Sequence, residues 1–263
     1  MKGFLSSVRI VAFKEFEDCW RNLWLIVGSA LFAFLSLAVV FGTAAIGGDF
    51  SFRPLEAVMT SVVTLGVFLI PLIAILISYD AFVGEQEHGT LILLLTYPLS
   101  RTALLTGKLF GQSAALGICL LLGFSVLPLL AVLNVLPYNL ARLSLLTAAL
   151  IFSGWLLGLL FILISLTVSL LAKNKARALG ALLSIWLLSV LFYDLGLLII
   201  TIAFEHRITN EFLNICVAAN PASAFRIFNQ QLLENSNINL QTAWLGPWLT
   251  VSLIPIILNS MTS

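Results

Sequence analysis

The feature that most constrains this chain is a series of long apolar runs without acidic or basic residues. The first run covers residues 23–42. A helix needs about 20 such residues to cross the hydrocarbon core of a bilayer. In lipid every backbone N–H and C=O must be paired within the protein, so only helices and closed barrels can span it. The runs lack the apolar–polar alternation of barrel strands. The sequence therefore predicts an all-α integral membrane protein.

The composition shows that water cannot surround most of this chain. Of its 263 residues, 60% are hydrophobic and 10% are charged, whereas soluble domains carry about 25% charged residues. We therefore expect membrane lipid as the main neighbour and no separate soluble catalytic domain. The net charge of +1 also argues against nucleic acid as a partner, because nucleic acid requires a clustered basic face.

The runs divide the chain into an N-terminal segment, six predicted transmembrane helices and a long loop. The predicted spans are residues 23–42, 59–78, 109–133, 143–172, 178–203 and 244–258, with a loop at 204–243 and a tail at 259–263. The last span has only about 15 residues, which is short for a full crossing. Residues 1–22 place apolar side chains at helical spacing between charged ones. This pattern is typical of an interfacial helix on the cytoplasmic membrane surface, or of an amphipathic helix packed on protein.

The basic residues predict the orientation of the spans. With a cytoplasmic N-terminus, nine of the 13 basic residues lie inside: Lys2, Arg9, Lys14, Arg21, Arg101, Lys108, Lys173, Lys175 and Arg177. The other four, Arg53, Arg142, Arg207 and Arg226, lie outside. Because cytoplasmic loops carry the excess of Lys and Arg, residues 204–243 are expected on the outer side.

The stretch between the second and third spans is the most polar part of the predicted cytoplasmic face. Gly89 and Thr90 can end one helix and cap the next. A short apolar helix is then expected at residues 91–96, ended by Pro98, and Ser100 can cap a further helix. Such a short helix on the membrane surface, with acidic residues at its border, suits the docking of a partner protein.

The same stretch carries a recognisable pattern. It reads E-x-x-x-G-T-L-x-x-L-L-x-x-P-x-S-R, matched at Glu85, Gly89, Thr90, Leu91, Leu94, Leu95, Pro98, Ser100 and Arg101. This pattern resembles the signature of ABC-2 type permeases, whose coupling helix sits in a cleft of the ATP-binding subunit. The resemblance implies a six-helix exporter-like fold with a cytoplasmic coupling helix. It also implies contacts with an ATPase from a set of ten residues: Glu85, Glu87, His88, Gly89, Thr90, Leu91, Leu94, Pro98, Ser100 and Arg101.

The resemblance further implies a division of labour among subunits. The chain lacks the phosphate-binding pattern GxxxxGK[ST], so we do not expect it to be an enzyme. ATP and Mg²⁺ would be bound by the partner subunit. Two copies of the chain would pair with two ABC ATPase subunits on the cytoplasmic side. The permease would lie in the bacterial inner membrane, and a periplasmic maturation protein would contact its outer side. No cofactor or metal is expected on this chain itself.

Three short stretches narrow the resemblance within the family. Residues 13–16, residues 79–101 and the pair at 220–221 are similar to permeases of the transporter that matures nitrous oxide reductase in denitrifying bacteria. This implies outward movement of a substrate, with a sulfur species as the candidate, for copper-site assembly of that reductase. The alternative is a mechanotransmitter, which relays ATP-driven motion to a periplasmic partner without transport. A lipid-modifying enzyme is poorly supported, because no span carries paired carboxylates or a histidine cluster.

Two further groups of residues are candidate sites. Asp194, beside Tyr193, is a carboxylate within the fifth span, where an unpaired charge is costly. It is expected either to line a pathway or to form a hydrogen bond between helices. Asn220, Pro221 and Phe225 lie in the outer loop, where apolar and polar residues are interleaved. They are expected to form either a short interfacial helix or a docking surface for the periplasmic partner.

Overall fold

The computed structural model describes residues 2–46, 52–90, 100–203, 215–217 and 219–234. Within these residues the secondary structure is helical and no strand occurs, which confirms the all-α prediction for this part of the chain. The elements are α1 (Lys2–Arg21), α2 (Trp24–Ile46), α3 (Leu55–Ser78), α4 (Val83–Glu87), α5 (Arg101–Phe124), α6 (Val126–Val132), α7 (Leu140–Leu171), α8 (Lys175–Leu187), a π-helical turn (Leu188–Phe192), α9 (Tyr193–Ala203) and α10 (Pro221–Leu233).

Five segments are long and apolar enough to cross a membrane. They are Trp24–Gly42, Leu55–Glu87, Arg101–Val132, Leu140–Leu171 and Lys175–Ala203. Each contains one of the first five predicted spans, apart from a single residue at one end of three of them. Several extend further because helical hydrogen bonding continues beyond the apolar stretch. The predicted sixth span, residues 244–258, and the tail at 259–263 lie outside the described residues.

The five candidate spans alternate in direction between two ends of the molecule. At one end, Ser169 Oγ near the end of α7 accepts hydrogen bonds from the N–H groups of Phe82 and Val83, both at 3.1 Å. At the other end, the Tyr138 hydroxyl donates to the Arg53 carbonyl at 2.7 Å. We call these the Lys108 end and the Arg142 end, after a charged residue at each.

Helix α1 packs along the first half of α5 rather than standing alone. A Cβ atom added at Gly107 would lie 2.6 Å from Val11 Cβ, and one added at Gly111 would lie 2.7 Å from Glu15 Cβ. The two helices can approach this closely only because α5 has glycine at both positions. The opposite side of α1 exposes several apolar residues: Leu5, Ile10, Phe13 and Trp20. One face of α1 is thus packed on protein, and the other is suited to a membrane surface.

Helices α3, α5 and α7 form the centre of the bundle. In α7, a Cβ at Gly154 would lie 2.7 Å from Ile70 Cδ1, and one at Gly158 would collide with Leu116. These two glycines therefore form a contact in which small residues let neighbouring helices approach closely. Pro71 lies inside α3 without ending it, as membrane bundles allow.

Helix α10 enters the bundle instead of lying on its surface. Asn229 Nδ2 donates to Ser153 Oγ of α7 at 2.9 Å, and Arg142 Nη2 donates to the Leu233 carbonyl at 3.1 Å. Helix α10 therefore runs antiparallel to α7 and ends near the Arg142 end. At 1.5 Å per residue, Ser153 lies about 20 Å along α7 from Leu140. The first turns of α10 are thus deep within the bundle, as in a re-entrant helix.

Candidate functional site

The predicted coupling segment begins from a fixed base at the Lys108 end. The N–H groups of Phe82 and Val83 are held by Ser169 Oγ, and α4 follows immediately. Helix α4 ends at Glu87, and Gly89 adopts a φ of +69°, the left-handed conformation that favours glycine after a helix. This confirms the predicted helix end at Gly89. The residues from Glu87 to Thr90 are exposed.

The remainder of the predicted coupling helix is only partly described. Leu91, Leu94 and Pro98 lie in residues 91–99, outside the described residues. On the far side, Ser100 Oγ accepts a hydrogen bond from the Ala103 N–H at 3.2 Å, which confirms that Ser100 caps the next helix. Arg101 is exposed in the first turn of that helix, α5. The two ends of the segment are thereby anchored to α3 and α5.

A buried lysine joins three helices beneath this segment. Lys108 Nζ of α5 donates to Glu15 Oε1 of α1 at 2.7 Å and to Glu85 Oε1 of α4 at 2.8 Å. The Lys108 side chain is 1% exposed. Gln112 Nε2 donates to the second Glu15 oxygen at 3.2 Å. We call these four residues, Glu15, Glu85, Lys108 and Gln112, the Lys108 cluster.

The Lys108 cluster accounts for the direction of the Glu85 side chain. A buried ammonium must be paired, since losing one partner of a buried ion pair costs about 3–5 kcal/mol. Glu85 accordingly turns inward and is 14% exposed, while Glu87 and His88 face outward. Contact between an ATPase and Glu85 stays a prediction; in this conformation the carboxylate is occupied by Lys108.

Glu87 connects the coupling segment to the fifth candidate span. Its Oε1 accepts a hydrogen bond from the Lys175 backbone N–H at 2.8 Å, at the first residue of α8. A negative charge at a helix N-terminus is stabilising. The Lys175 ammonium also approaches Asp80 Oδ2 at 3.5 Å. Asn174 caps the same helix by accepting from the Arg177 N–H.

Asp194 is paired, not isolated, within the fifth candidate span. Its Oδ2 accepts a hydrogen bond from Arg226 Nη1 at 2.7 Å, and its Oδ1 accepts from the Ser223 hydroxyl at 2.8 Å. Both donors belong to α10. The neighbouring Tyr193 hydroxyl donates to the Cys216 carbonyl at 2.6 Å. This geometry favours the helix-packing role of Asp194 and Tyr193, while a pathway role stays a prediction.

The predicted outer-loop site falls on the first turns of α10. Asn220 caps this helix through the Ala222 N–H, and Pro221 is its first residue. Phe225 is 4% exposed and packs beside Gly66 of α3 and Gly154 of α7. In this conformation Phe225 is covered by the chain's own helices. Contact with a periplasmic partner through these residues stays a prediction.

Burial controls the chemistry of the thiol nearest the Lys108 cluster. Cys19 lies on the packed face of α1 and is 7% exposed. Burial, and then the nearby carboxylates of Glu15, Asp18 and Asp80, raise its pKa to about 12. Because the thiolate is the reactive form of cysteine, this thiol is held in an inert state.

Comparison with known proteins identifies the family. Residues 9–260 match the model of the family described as ABC-2 family transporter protein. The chain belongs to this family. As the pattern around Gly89 predicted, it is thus a multi-pass membrane protein and a permease component of an ABC transporter. Membership of this family also implies ATPase partners.

Two curated ABC-2 permeases are similar over nearly the whole chain. The sequence is 36% identical over 247 residues to the probable ABC transporter permease protein NosY of Stutzerimonas stutzeri, covering 94% of this chain and 90% of that protein. It is 39% identical over 226 residues to the protein of the same description from Pseudomonas aeruginosa, covering 86% and 82%. This agrees with the narrower resemblance seen in the sequence.

The main feature of this ABC-2 permease that sequence reasoning missed is the Lys108 cluster. Glu15 and Glu85 lie 93 and 23 residues away from Lys108 in the chain, so no local motif connects them to the lysine. A signal was nonetheless present. Glu15 stands four residues after Val11 and four before Cys19, so all three share one helix face. An acid among apolar residues on that face indicates a buried cationic partner.

Proposed function

We propose that this permease couples ATP hydrolysis in a separate subunit to outward substrate movement, and that residues 80–101 receive the motion of that subunit. The observation that carries the proposal is similarity over 94% and 86% of the chain to two proteins described as NosY permeases. The structure supports it with an exposed turn at Glu87–Thr90 that is anchored on both sides to candidate spans.

The proposed substrate is a sulfur species used for copper-site assembly of nitrous oxide reductase. This part of the proposal rests on the resemblance of residues 13–16, 79–101 and 220–221 to permeases of that maturation transporter. In the proposed assembly, two copies of this chain bind two ATPase subunits, which hold ATP and Mg²⁺. The N-terminus and α4 face the cytoplasm, and a periplasmic maturation protein contacts the outer side.

Co-purification tests the proposed assembly. We expect the affinity-tagged permease, expressed with its neighbouring genes, to carry an ABC ATPase and a periplasmic protein through detergent extraction and size-exclusion chromatography. The isolated permease should bind no ATP in equilibrium dialysis. Nucleotide binding by the isolated chain would contradict the proposal, and so would a complex without an ATPase.

Charge reversal tests whether the acidic residues of the segment couple the two subunits. Reversal at Glu85 and Glu87 together should uncouple ATPase activity from transport. The structure separates the two positions: Glu85→Lys places a cation against Lys108 and perturbs folding, whereas Glu87→Lys leaves the Lys108 cluster intact. Glu17→Lys is the matched control, because Glu17 is an exposed acid on α1. Unchanged coupling in a reconstituted Glu87→Lys complex would count against the assigned role.

The mechanotransmitter is retained as a second candidate because the candidate spans offer little polar surface. Among Trp24–Gly42, for example, no residue is charged. In that case ATP-driven motion would change the conformation of the periplasmic partner and no substrate would cross. Proteoliposomes distinguish the two. Transport predicts ATP-dependent movement of labelled sulfur species across the membrane, whereas force transmission predicts a nucleotide-dependent change in the partner without such movement.

A further inference from the structure

The fifth candidate span is weakly packed against the rest of the described chain. In its most apolar 18-residue stretch, 6% of the residues are buried, compared with 28% to 56% in the other four candidate spans. Helix α9 has no buried residue at all. Among the described residues, apolar packing therefore fixes this segment less firmly than the other candidate spans, and specific polar contacts contribute correspondingly more to its position.

The first polar attachment is at the Lys108 end. Glu87 of α4 binds the N-terminal N–H of α8 at 2.8 Å, and Asp80 lies 3.5 Å from the Lys175 ammonium. Gly84 of α4 is also tightly packed, since a Cβ there would lie 3.2 Å from Lys175 Cε. A displacement of α4 therefore moves the beginning of the fifth segment with it.

The second attachment lies deep in the bundle and depends on the π-helical turn. There, the Tyr193 N–H bonds to the Leu188 carbonyl, so it is not available to the Ser189 carbonyl as it would be in an α-helix. The Ser189 carbonyl instead accepts a hydrogen bond from Asn220 Nδ2 at 2.8 Å.

The Asp194 carboxylate strengthens this second attachment by binding Arg226 and Ser223. Both of these residues lie in the N-terminal half of α10. The other end of α10 is attached elsewhere, since Arg142 of α7 donates to the Leu233 carbonyl. A displacement of the fifth segment therefore pulls on the N-terminal end of α10, while its C-terminal end stays attached to α7.

We propose that the segment from Lys175 to Ala203 transmits displacement of α4 to the N-terminal end of α10, with Asp194 and Asn220 as positioning residues. This inference rests on the proposed function, because the displacement comes from a partner ATPase. A contact between the two attachments, from Trp186 Nε1 to the Phe68 carbonyl at 3.1 Å, ties the segment to α3. The segment would turn about this point, so that movement at α4 reaches α10.

Site-specific fluorescence in the assembled complex tests the proposal. One bimane label is placed at exposed Ala219 (A219C), next to Asn220, and another, in a separate sample, at exposed Gln86 (Q86C). Cys216 is replaced by alanine in both. Each complex is measured with ADP and with ATP plus vanadate. We expect nucleotide-dependent emission shifts at both positions in the parent complex.

Three variants isolate the attachment to α10. The double variant Asp194→Ala with Arg226→Ala should lose the shift at position 219 and keep the shift at 86. The exchange Asp194→Arg with Arg226→Asp should restore the emission shift at position 219. Asn220→Ser keeps a helix-capping hydroxyl but is too short to reach the Ser189 carbonyl, so it should also lose the shift at 219. If the double variant does not assemble, Asn220→Ser carries the test alone.

Glu56→Gln is the matched control variant. Glu56→Gln removes an ion pair with Arg142 at the Arg142 end and leaves both attachments of the fifth segment in place, so both shifts should persist. An undiminished shift at 219 in the double variant or in Asn220→Ser would overturn the inference and leave the proposed function standing. A parent complex in which nucleotide produces no shift at 86 would overturn both.

Discussion

At the scale of single residues, the most informative group is one ammonium shared by two carboxylates. Lys108 is almost completely buried and lies 2.7 Å from Glu15 and 2.8 Å from Glu85. Buried pairs of this kind add little stability compared with apolar packing, but breaking one is costly because a charge is left unpaired. The cluster therefore makes the positions of α1, α4 and α5 interdependent.

Replacing the lysine should reveal this dependence. Lys108→Met removes the ammonium that hydrogen-bonds Glu15 and Glu85 and leaves them only the exposed Lys14, at 3.8 and 3.9 Å. We expect the free energy of unfolding in mixed detergent micelles to fall by about 3–5 kcal/mol. Adding Glu15→Gln and Glu85→Gln should recover part of the loss. Lys14→Met is the control, since Lys14 is 55% exposed and exposed pairs contribute about 0–1 kcal/mol. Equal losses at the two lysines would contradict this account.

The thiol of Cys19 allows a second test at this scale. With a pKa of about 12 instead of the ordinary 9.0, its thiolate fraction at pH 8 is about a thousandfold lower. We expect maleimide or iodoacetamide to modify Cys19 slowly in the folded permease and rapidly after denaturation. The modification rate in the folded permease should still rise with pH above pH 10. Phe13→Cys, on the exposed side of the same helix, should react at an ordinary rate. Rapid modification of folded Cys19 at pH 8 would contradict its burial.

Local signals in the sequence predicted some of these residues and not others. Ser100 and Gly89 are recognisable because helix capping and the left-handed conformation depend on residue type at one position. The partners of Lys108 and Asp194 are 23 to 93 residues away. Their pairing depends on how the helices assemble, which short patterns do not encode.

At the scale of helices, hydropathy located the first five spans but not their full lengths. The second span was predicted at residues 59–78, whereas its helical segment extends over Leu55–Glu87. Hydropathy ends where charge begins, but after a turn at residues 79–82 the chain forms α4, where Lys108 neutralises the charge of Glu85 within the protein. The π-helical turn was not predicted either, since its residues Leu188–Phe192 have the composition of any apolar helix.

Glycine substitutions test the packing of α1 on α5. Gly111→Ala would place a methyl group 2.7 Å from Glu15 Cβ and against the Ala12 carbonyl. We expect a loss of about 1–3 kcal/mol in stability from this overpacking. Gly180→Ala, also within a helix, meets no atom of the described residues within 4 Å and should be neutral or up to about 1 kcal/mol more stable. Thermal denaturation followed by tryptophan fluorescence measures both, and a stabilised Gly111→Ala would exclude the close contact.

At the scale of the whole molecule, the alternating spans place the exposed turn of α4 and the α6–α7 turn at opposite ends. Tyr138 and Arg53 meet at the Arg142 end, whereas Glu87 and Lys175 meet at the Lys108 end. The excess of basic residues predicts that the Lys108 end is cytoplasmic.

Labelling with a membrane-impermeant maleimide tests the orientation. In a background without Cys216, Val135→Cys at the Arg142 end should react in intact spheroplasts, because Val135 is 42% exposed. Gln86→Cys should react only after the membrane is permeabilised. Reaction of Gln86→Cys in intact spheroplasts would reverse the orientation and remove the basis for an ATPase contact at α4.

The π-helical turn also limits how the length of this chain can vary. Such a turn contains one residue more than the α-helical turn it replaces, so it absorbs that residue without rotating the helix that follows. Deleting one residue among 188–192 would restore a regular helix in which the carbonyls of the turn are bonded within the helix, so that Asn220 would lose its acceptor. Many side chains in this turn can therefore be exchanged, but the attachment to Asn220 requires the number of residues between Trp186 and Asp194 to be kept.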